Sequence, residues 1–234
     1  MDKKVSVVLA AFDGEKYIKS QILSILPQLR NQDELIVTLD PGTDKTESEV
    51  LNIHDSRIRL LKGPGQGILK NVENGLKSAT GDYIFLSDQD DVWHPQKVRK
   101  VLEQLNQKDT LLVLHDCRLV DEALNELEPS YFRYHGTKRG FLNNLIRNSF
   151  IGCCMAFNRS LLNAALPFPS QLPMHDQWLG LVAEKKGNVV YLPEPLLDYR
   201  RHNNNQSSLQ HAGILTMVQW RIWLIRALKE RKLL

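Results

Sequence analysis

The 234-residue sequence has few cysteines, no long apolar run and almost no excess of one charge. Its three cysteines, Cys117, Cys153 and Cys154, have neither metal-ligand spacing nor the even number of a disulfide framework. We therefore expect small buried thiols in a reducing compartment, not nucleophiles. Residues 5–9 are apolar but too few for a signal peptide or a membrane span, which predicts a cytoplasmic protein. The net charge of +3 gives no reason to expect nucleic acid binding.

Short β-branched runs alternate with stretches whose apolar residues recur at helical spacing. Strands are predicted at residues 5–9, 34–39, 57–61, 83–86, 111–115, 149–157 and 189–192. Helices are predicted at residues 15–29, 68–78, 95–105, 159–165 and 176–185, with a further polar helix ending near Leu51. This alternation is typical of βαβ units, so we predict an α/β fold with a mostly parallel central sheet flanked by helices.

Two stretches do not follow this alternation. Residues 125–139 mix aromatic side chains with charges, and no element is predicted there. Residues 193–208 are polar, basic and rich in asparagine, which predicts a loop.

Three carboxylates follow the strand predicted at residues 83–86: Asp88, Asp90 and Asp91. Ligands of open α/β sheets bind outside the carboxyl ends of the strands, so these side chains lie where a site is expected. Hard oxygen ligands suit Mg²⁺ or Mn²⁺, and such a cation beside a diphosphate is typical of nucleotide-sugar or phosphate-ester chemistry. The alternative is a solvated acidic turn that caps the next helix.

The end of the chain differs in composition from the rest. Residues 213–234 combine two tryptophans, many aliphatic side chains and several basic residues, which predicts a basic amphipathic helix. Residues 215–234 have the composition of a helix that contacts a membrane surface peripherally. The alternative is that this helix packs on its own domain or on a partner subunit, as in a homodimer.

Three blocks of sequence, at residues 5–18, 40–46 and 81–93, together resemble the inverting glycosyltransferases of family 2, which have a GT-A type fold. The S-D-Q-D-D-V-W form of the third block is similar to the branch that includes bacterial rhamnosyltransferases and other cell-surface polysaccharide transferases. Residues 175–178 and 199–202 extend the likeness.

The resemblance implies how the chain is divided. A glycosyltransferase domain spans residues 1–212, with the nucleotide-binding half at about 1–118 and the acceptor-binding half at about 119–212. The amphipathic helix at 213–234 follows it.

For the donor, the resemblance implies that the loop from Ala10 to Phe12 and the carboxylate of Asp40 hold the nucleotide base and ribose. A carboxylate suits this role because it accepts hydrogen bonds from a base N–H or a ribose hydroxyl. Asp90 is expected to bind Mg²⁺ or Mn²⁺, and Asp88 to bind the ribose or the metal. The chain departs from the family's usual D-D-G-S after the second strand, because Asp40 is followed by proline and glycine. Asp40 as a simple turn residue is the alternative.

For the acceptor, the resemblance implies that Asp176 is the base that removes the proton from the attacking hydroxyl. Its neighbours His175 and Trp178 are expected to contact the acceptor. Asp176 could instead be only the N-cap of the helix that follows, and Trp178 could instead fill the core.

The segment after the last predicted strand supplies further candidates. Either Arg200 or Arg201 is expected to clamp the donor diphosphate, and His202 to provide a nitrogen ligand to the metal. A basic loop closed over the diphosphate would exclude water and suppress hydrolysis. The alternative is a solvated basic loop.

These expectations define an inverting glycosyltransferase of the hexosyl or deoxyhexosyl class, including rhamnosyl transfer. It would move a sugar from a UDP- or dTDP-linked donor to a hydroxyl of a cell-surface glycan or lipid-linked acceptor at the inner face of the cell membrane. A nucleotidyltransferase is the nearest enzyme alternative, but it would want a glycine-rich signature with a lysine after the first strand, and residues 10–14 have none. A non-catalytic subunit that binds sugar nucleotides or glycans is the other alternative, and it would not need a base at Asp176.

Overall fold

The computed structural model describes residues 3–202 and 213–234. The strands are β1 (Val5–Ala11), β2 (Glu34–Leu39), β3 (Ile58–Lys62), β4 (Tyr83–Asp88), β5 (Val92–Trp93), β6 (Thr110–Val120), β7 (Glu126–Glu128), β8 (Met155–Asn158) and β9 (Asn188–Arg200). The helices are α1 (Ile18–Ile25), α2 (Thr46–Leu51), α3 (Ile68–Ser78), α4 (Lys97–Leu105), α5 (Tyr131–His135), α6 (Phe141–Ile146), α7 (Arg159–Ala165), α8 (His175–Lys186) and α9 (Ile214–Glu230).

Within the described residues, the strands form one nine-stranded sheet in the order β3-β2-β1-β4-β8-β6-β9-β5, with β7 paired to β6. The strands β1, β2, β3, β4, β6 and β9 run in one direction, and β5, β7 and β8 run in the other. The sheet is thus mixed but mostly parallel, as predicted. The carboxyl ends of the parallel strands meet at one edge, where the site residues were expected.

The central strands are buried on both faces, which is why they are nearly continuous apolar runs. Residues of β1, β2 and β4 pack with α1, α3 and α4 in one core that also includes α7 and α8. Glycines allow the closest approaches: a Cβ on Gly75 of α3 would lie 2.5 Å from the Val8 side chain, so this helix packs directly on the sheet.

The prediction of a loop at residues 193–208 is wrong for residues 193–200, because β9 continues to Arg200. The second half of β9 is held by long-range pairing, because Asp198 pairs with Arg118 of β6 and with Val92 of β5. The register shifts near Pro195 accommodate a residue that donates no hydrogen bond. Residues 203–208 of that predicted loop lie outside the described part of the chain, as does the domain boundary expected at residue 212.

Asp198 fixes the end of β9 against its neighbours. Its carboxylate accepts hydrogen bonds from Arg118 at 2.7 and 2.9 Å and is bonded to His94 Nε2 at 2.6 Å. Burial alone would raise the pKa of Asp198, but these partners lower it to about 2. Arg200 at the end of β9 and His202 just beyond it therefore follow a residue whose position is fixed.

Two further differences concern local structure. The strand predicted at residues 149–157 is shorter: a 3-10 turn occupies Gly152–Cys154 and β8 starts at Met155. Residues 125–139, for which no element was predicted, contain β7 and α5. Ser130 caps α5 by accepting the N–H of Arg133, a signal that the sequence does contain.

The C-terminal helix α9 is only partly packed on the domain. Leu224, Ala227 and Leu228 are buried in the common core, whereas Leu215 and Val218 are exposed. The helix falls within the predicted residues 213–234, and its second half packs on its own domain. No helix in the described residues is long and apolar enough to cross a membrane.

Candidate functional site

The candidate site lies at the carboxyl edge of the sheet, where β1, β2 and β4 end side by side. The register of the sheet places Ala10 beside Asp88 and Ala11 beside Leu39. Asp40 follows immediately and donates its backbone N–H to the carbonyl of Ala11. Residues that are far apart in sequence thus meet at this edge, as predicted.

Asp40 is held against a glycine turn. Its carboxylate accepts the N–H of Gly65 at 2.9 Å, and a Cβ on Gly63 would lie 2.3 Å from the same oxygen. A cavity of about 300 Å³ opens beside it, lined by residues of the β2 and β3 ends and the start of α2. The predicted nucleotide-binding carboxylate therefore borders a cavity at the sheet edge.

Gln89 links the acidic turn, which is formed by residues 88–91, to the loop that follows β1. Its side-chain oxygen accepts the N–H of Phe12 and its amide nitrogen donates to the carbonyl of the same residue, both at 2.8 Å. A Cβ on Gly14 would lie 2.3 Å from the Gln89 oxygen, so a side chain at position 14 would displace the Gln89 amide. Phe12 itself is half-exposed at the mouth of the site. Gln89 was not predicted as a site residue, although it stands between two predicted ligands.

The acidic turn crowds three carboxylates together. Burial, and then the charges of Asp90 and Asp176, raise the pKa of Asp88 to about 7. Asp91 is fully buried and accepts the N–H of Arg200 at 3.2 Å, and burial together with its neighbours holds its pKa well above the usual value. Asp91 does not cap the next helix, because α4 begins at Lys97 with Gln96 as its N-cap.

Arg200 and His202 come back to this turn from the end of β9. His202 Nε2 lies 2.8 Å from Asp90 Oδ2, and Arg200 donates its Nε–H to the Asp90 carbonyl at 2.8 Å. Tyr17, at the start of α1, stacks on the His202 ring with centroids 4.9 Å apart and lies 4.9 Å from the Arg200 guanidinium carbon. The structure thus brings both residues to Asp90, and Tyr17 joins the group without having been predicted.

Arg201 is placed differently. Its backbone N–H donates to the carbonyl of Val120, and its guanidinium lies 5.7 Å from the centre of the Tyr199 ring. Arg200 contacts the acidic turn through the Asp90 carbonyl.

Asp88, Asp90 and His202 carry oxygen and nitrogen donors of the kinds that bind Mn²⁺ or Mg²⁺. Carboxylate oxygens with one imidazole nitrogen are suitable ligands for these ions, and a cation would relieve the carboxylate crowding that raises the pKa of Asp88. Deeper in the turn, ligand atoms of Asp88, Asp91 and Cys153 lie within 4.8 Å of one another. One oxygen of the buried Asp91 has no hydrogen-bond partner among the described residues.

Asp176 lies close to the acidic turn, and we call the region between them the crevice. It lies in the first turn of α8 and is nearly buried; its charge contributes to the raised pKa of Asp88. Burial raises the pKa of Asp176 itself to about 6, although hydrogen bonds from Gln177 and from Asn148 at 3.2 Å lower it. The N-cap alternative is wrong, because Met174 is the N-cap residue of α8.

The two predicted acceptor contacts next to Asp176 are buried. Trp178 has no exposed surface and its indole N–H donates to the Ala165 carbonyl at 3.0 Å, so the prediction that it contacts the acceptor is wrong: it is a core residue. His175 is nearly buried, and burial lowers its pKa to about 4. A Cβ on Gly152 would lie 2.9 Å from His175 Nε2, so the neutral ring faces the turn before β8.

A buried cation lies behind the acidic turn and was not predicted. Lys97 is fully buried, donates to the Cys153 carbonyl at 2.8 Å and lies 3.8 Å from the centre of the Trp93 ring. Burial lowers its pKa to about 8. Lys97 shares the helical spacing of the buried Val101 and Leu105, which was a visible signal that it faces the core.

Comparison with known proteins identifies the class of protein. The profile for glycosyl transferase family 2 matches residues 6–166, more than half of the chain, and the chain therefore belongs to this family. This membership sets aside the nucleotidyltransferase alternative.

Three similar proteins give this assignment detail. The chain is 27% identical over 191 residues to the UDP-Glc:alpha-D-GlcNAc-diphosphoundecaprenol beta-1,3-glucosyltransferase WfgD of Escherichia coli, covering 80% of this chain and 72% of that protein. It superimposes on S. aureus TarS in complex with UDP-GlcNAc with a TM-score of 0.71 at 18% identity, covering 97% of this chain and 66% of that one. For glucosyl-3-phosphoglycerate synthase of Mycobacterium tuberculosis with Mn²⁺ and UDP, the TM-score is 0.59 at 18% identity, with 98% and 78% covered.

These likenesses establish the fold as the GT-A type that was predicted. The coverage also shows that the relatives are longer than this chain, which spans about two thirds of the TarS structure and 35% of one curated relative.

Proposed function

We propose that the protein is an inverting glycosyltransferase that moves a hexosyl or deoxyhexosyl group, rhamnosyl included, from a UDP- or dTDP-linked donor to a hydroxyl of a lipid-linked or cell-surface glycan. One observation carries the proposal: the buried carboxylate of Asp176 lies near enough to Asp88 for its charge to raise the pKa of Asp88, and its neighbour His175 packs on Gly152, next to the Cys153 that approaches Asp88. Inversion requires a base and a diphosphate group at one site, on opposite faces of the transferred sugar.

The donor side of the proposed reaction uses the strand ends. Asp40, beside the 300 Å³ cavity, would accept hydrogen bonds from the base or ribose, and Ala10 and Phe12 at the end of β1 would contact the nucleotide beside Asp88. Arg200, already fixed to the Asp90 carbonyl, would place positive charge near the diphosphate.

Asp88, Asp90 and His202 would hold Mg²⁺ or Mn²⁺, which when bound supplies Lewis-acid neutralisation of charge on the leaving diphosphate. This part of the proposal is supported by the convergence of Asp90 and His202 and by the Mn²⁺ of the mycobacterial synthase structure.

The acceptor side uses Asp176 as a general base. The carboxylate would take the proton of the acceptor hydroxyl while that oxygen attacks the anomeric carbon from the face opposite the leaving group. A pKa of about 6 keeps the group ionised near neutral pH yet makes it a better base than an exposed aspartate. Asn148 donates to one carboxylate oxygen and leaves the other to receive the proton.

The proposed acceptor class follows from the relatives. The name of the E. coli relative specifies a diphosphoundecaprenol-linked acceptor, which is a membrane lipid carrying a sugar. A similar acceptor for this chain would place the reaction at the inner face of the cell membrane.

The experiment is a thermal-shift panel of UDP-, dTDP- and GDP-sugars with Mn²⁺, with Mg²⁺ and with a chelator. We expect stabilisation by a UDP- or dTDP-sugar that needs the metal and is lost in Asp90→Ala. Asp82→Ala is the matched control, since Asp82 lies at the opposite end of β4 from the site. The absence of a shift with every donor would contradict the proposal.

A further inference from the structure

The described residues leave an apolar surface uncovered where α6 and α9 meet. Five aliphatic side chains on these helices are exposed: Leu142 (70%), Ile146 (68%), Leu215 (87%), Val218 (52%) and Ile222 (38%). Arg221 of α9 donates to the carbonyl of Ile146, so the two helices are tied together at this point. We call these five residues the α6–α9 surface.

The exposed aliphatic residues of α9 lie on one stripe along the helix, beside the exposed Thr216, Gln219 and Glu230. Leu215, Val218, Ile222, Arg226 and Lys229 follow at intervals of three or four residues, so they share a face. The opposite face packs into the core through Leu224, Ala227 and Leu228. The helix is therefore anchored in the domain on one side and presents an apolar stripe that becomes basic toward its end.

Basic charge predominates around the surface, although Glu184 of α8 accepts the N–H of Gly140 at the start of α6. Residues 129–150 and α9 contain one acidic residue, the exposed Glu230. They contain seven basic residues: Arg133, Lys138, Arg139, Arg147, Arg221, Arg226 and Lys229. All of these except the half-buried Arg221 are exposed. A second copy of this chain would face like charge with like charge, whereas an anionic partner would be attracted.

The surface leads directly to the proposed base. Asn148, which donates to Asp176 at 3.2 Å, lies two residues after Ile146. Phe150 follows and packs against Gly180 of α8, so this segment is fixed between the surface and the helix that carries Asp176. Whatever contacts α6 is held near the acceptor side of the crevice.

We infer that the α6–α9 surface docks the enzyme on an anionic phospholipid bilayer, with the aliphatic side chains inserted at the headgroup boundary and the basic side chains against lipid phosphates. Exposed aliphatic residues rimmed by basic ones are the combination that interfacial helices use. This inference rests on the proposed function, because it brings a lipid-linked acceptor to the side of the crevice that holds Asp176.

The test is co-sedimentation of the 234-residue chain with vesicles of phosphatidylcholine alone and of phosphatidylcholine mixed with phosphatidylglycerol. We expect binding to the mixed vesicles that weakens as salt is raised. Leu142→Glu/Val218→Glu should reduce the partition coefficient roughly tenfold or more, because it removes two inserted side chains and adds negative charge. The control Leu23→Glu/Leu51→Glu makes the same charge change at exposed leucines of α1 and α2 and should bind like the wild type.

Three results would overturn the inference: no binding of the wild type, equal loss in both double variants, or a wild-type dimer that the α6–α9 variant alone dissociates without any vesicle binding. The thermal shift with donor and metal, measured on the same proteins, separates this failure from failure of the proposed function. A variant that keeps the thermal shift with donor and metal but no longer binds the vesicles has lost only the docking surface.

Discussion

The two sides of the crevice are built differently. On the donor side, side chains hold the loops by hydrogen bonds to backbone groups. Asp13 accepts the N–H of Thr43 at 2.8 Å, and Gln89 pairs with both backbone groups of Phe12. On the acceptor side, His175 and Asp176 are nearly buried, and Nδ1 of His175 has no hydrogen-bond partner among the described residues.

The difference shows where rigidity and reactivity are located. Loops held by their own hydrogen bonds keep a nucleotide pocket in shape before the donor arrives, which reduces the ordering cost of binding. A carboxylate in apolar surroundings instead gains basicity, because burial disfavours its charged form. Changes on the donor side should therefore affect binding, and changes around Asp176 should affect the chemical step.

The largest expected effect comes from Asp176→Asn. Loss of the general base should lower kcat by about 10²–10⁴-fold, while the thermal shift with donor and metal stays unchanged. Initial rates with saturating donor and acceptor measure the first quantity.

Asp109→Asn is the control for this variant, since Asp109 lies at the turn before β6, outside the crevice. Transfer that survives in Asp176→Asn would identify another base, whereas a wild type that binds donor without any turnover would favour the non-catalytic subunit.

The pH dependence of kcat sharpens the same distinction. Asp176 acts as a base only when ionised, so kcat should fall as the pH drops through about 6, approaching tenfold per pH unit below it. The hydrogen bond from Asn148 favours the ionised form of Asp176, so Asn148→Ala should raise the pKa of Asp176 and shift the fall in kcat to higher pH. If kcat falls at the same pH in Asn148→Ala as in the wild type, another group controls the pH dependence.

Trp178→Phe tests whether the acceptor side is packed core at this position. The change removes the indole N–H that Ala165 accepts and part of a fully buried ring, so the free energy of unfolding should fall by roughly 1–3 kcal/mol. The KM for the acceptor should not change. Trp220→Phe, at a partly exposed position of α9, is the matched control. A raised acceptor KM with unchanged stability would restore the acceptor contact that the sequence suggested.

Much of the donor side was predictable because each of its short blocks directly follows a strand. Asp88 to Asp90 come at the end of a strand whose apolar run is unmistakable, and parallel strands deliver their ends to one edge. The parts of the site that depend on pairing or packing of later segments were less predictable. Nothing local in residues 193–200 indicates a strand, since pairing with β5 and β6 decides it. The burial of Trp178 likewise results from α7 and α8 packing together.

The smallest effect is expected from Tyr17→Leu, on the donor side. Tyr17 stacks on His202 and lies against Arg200, so its loss should loosen the group that approaches Asp90 without removing any proposed ligand. An aromatic contact of this kind contributes about 0.5–1.5 kcal/mol, which corresponds to roughly a two- to tenfold higher Mn²⁺ concentration for half-maximal stabilisation by donor. Tyr134→Leu, at an exposed position of α5, should leave that concentration unchanged. If Tyr17→Leu instead lowers kcat at saturating metal, the donor side also affects the chemical step, and the distinction between a binding side and a reactive side is wrong.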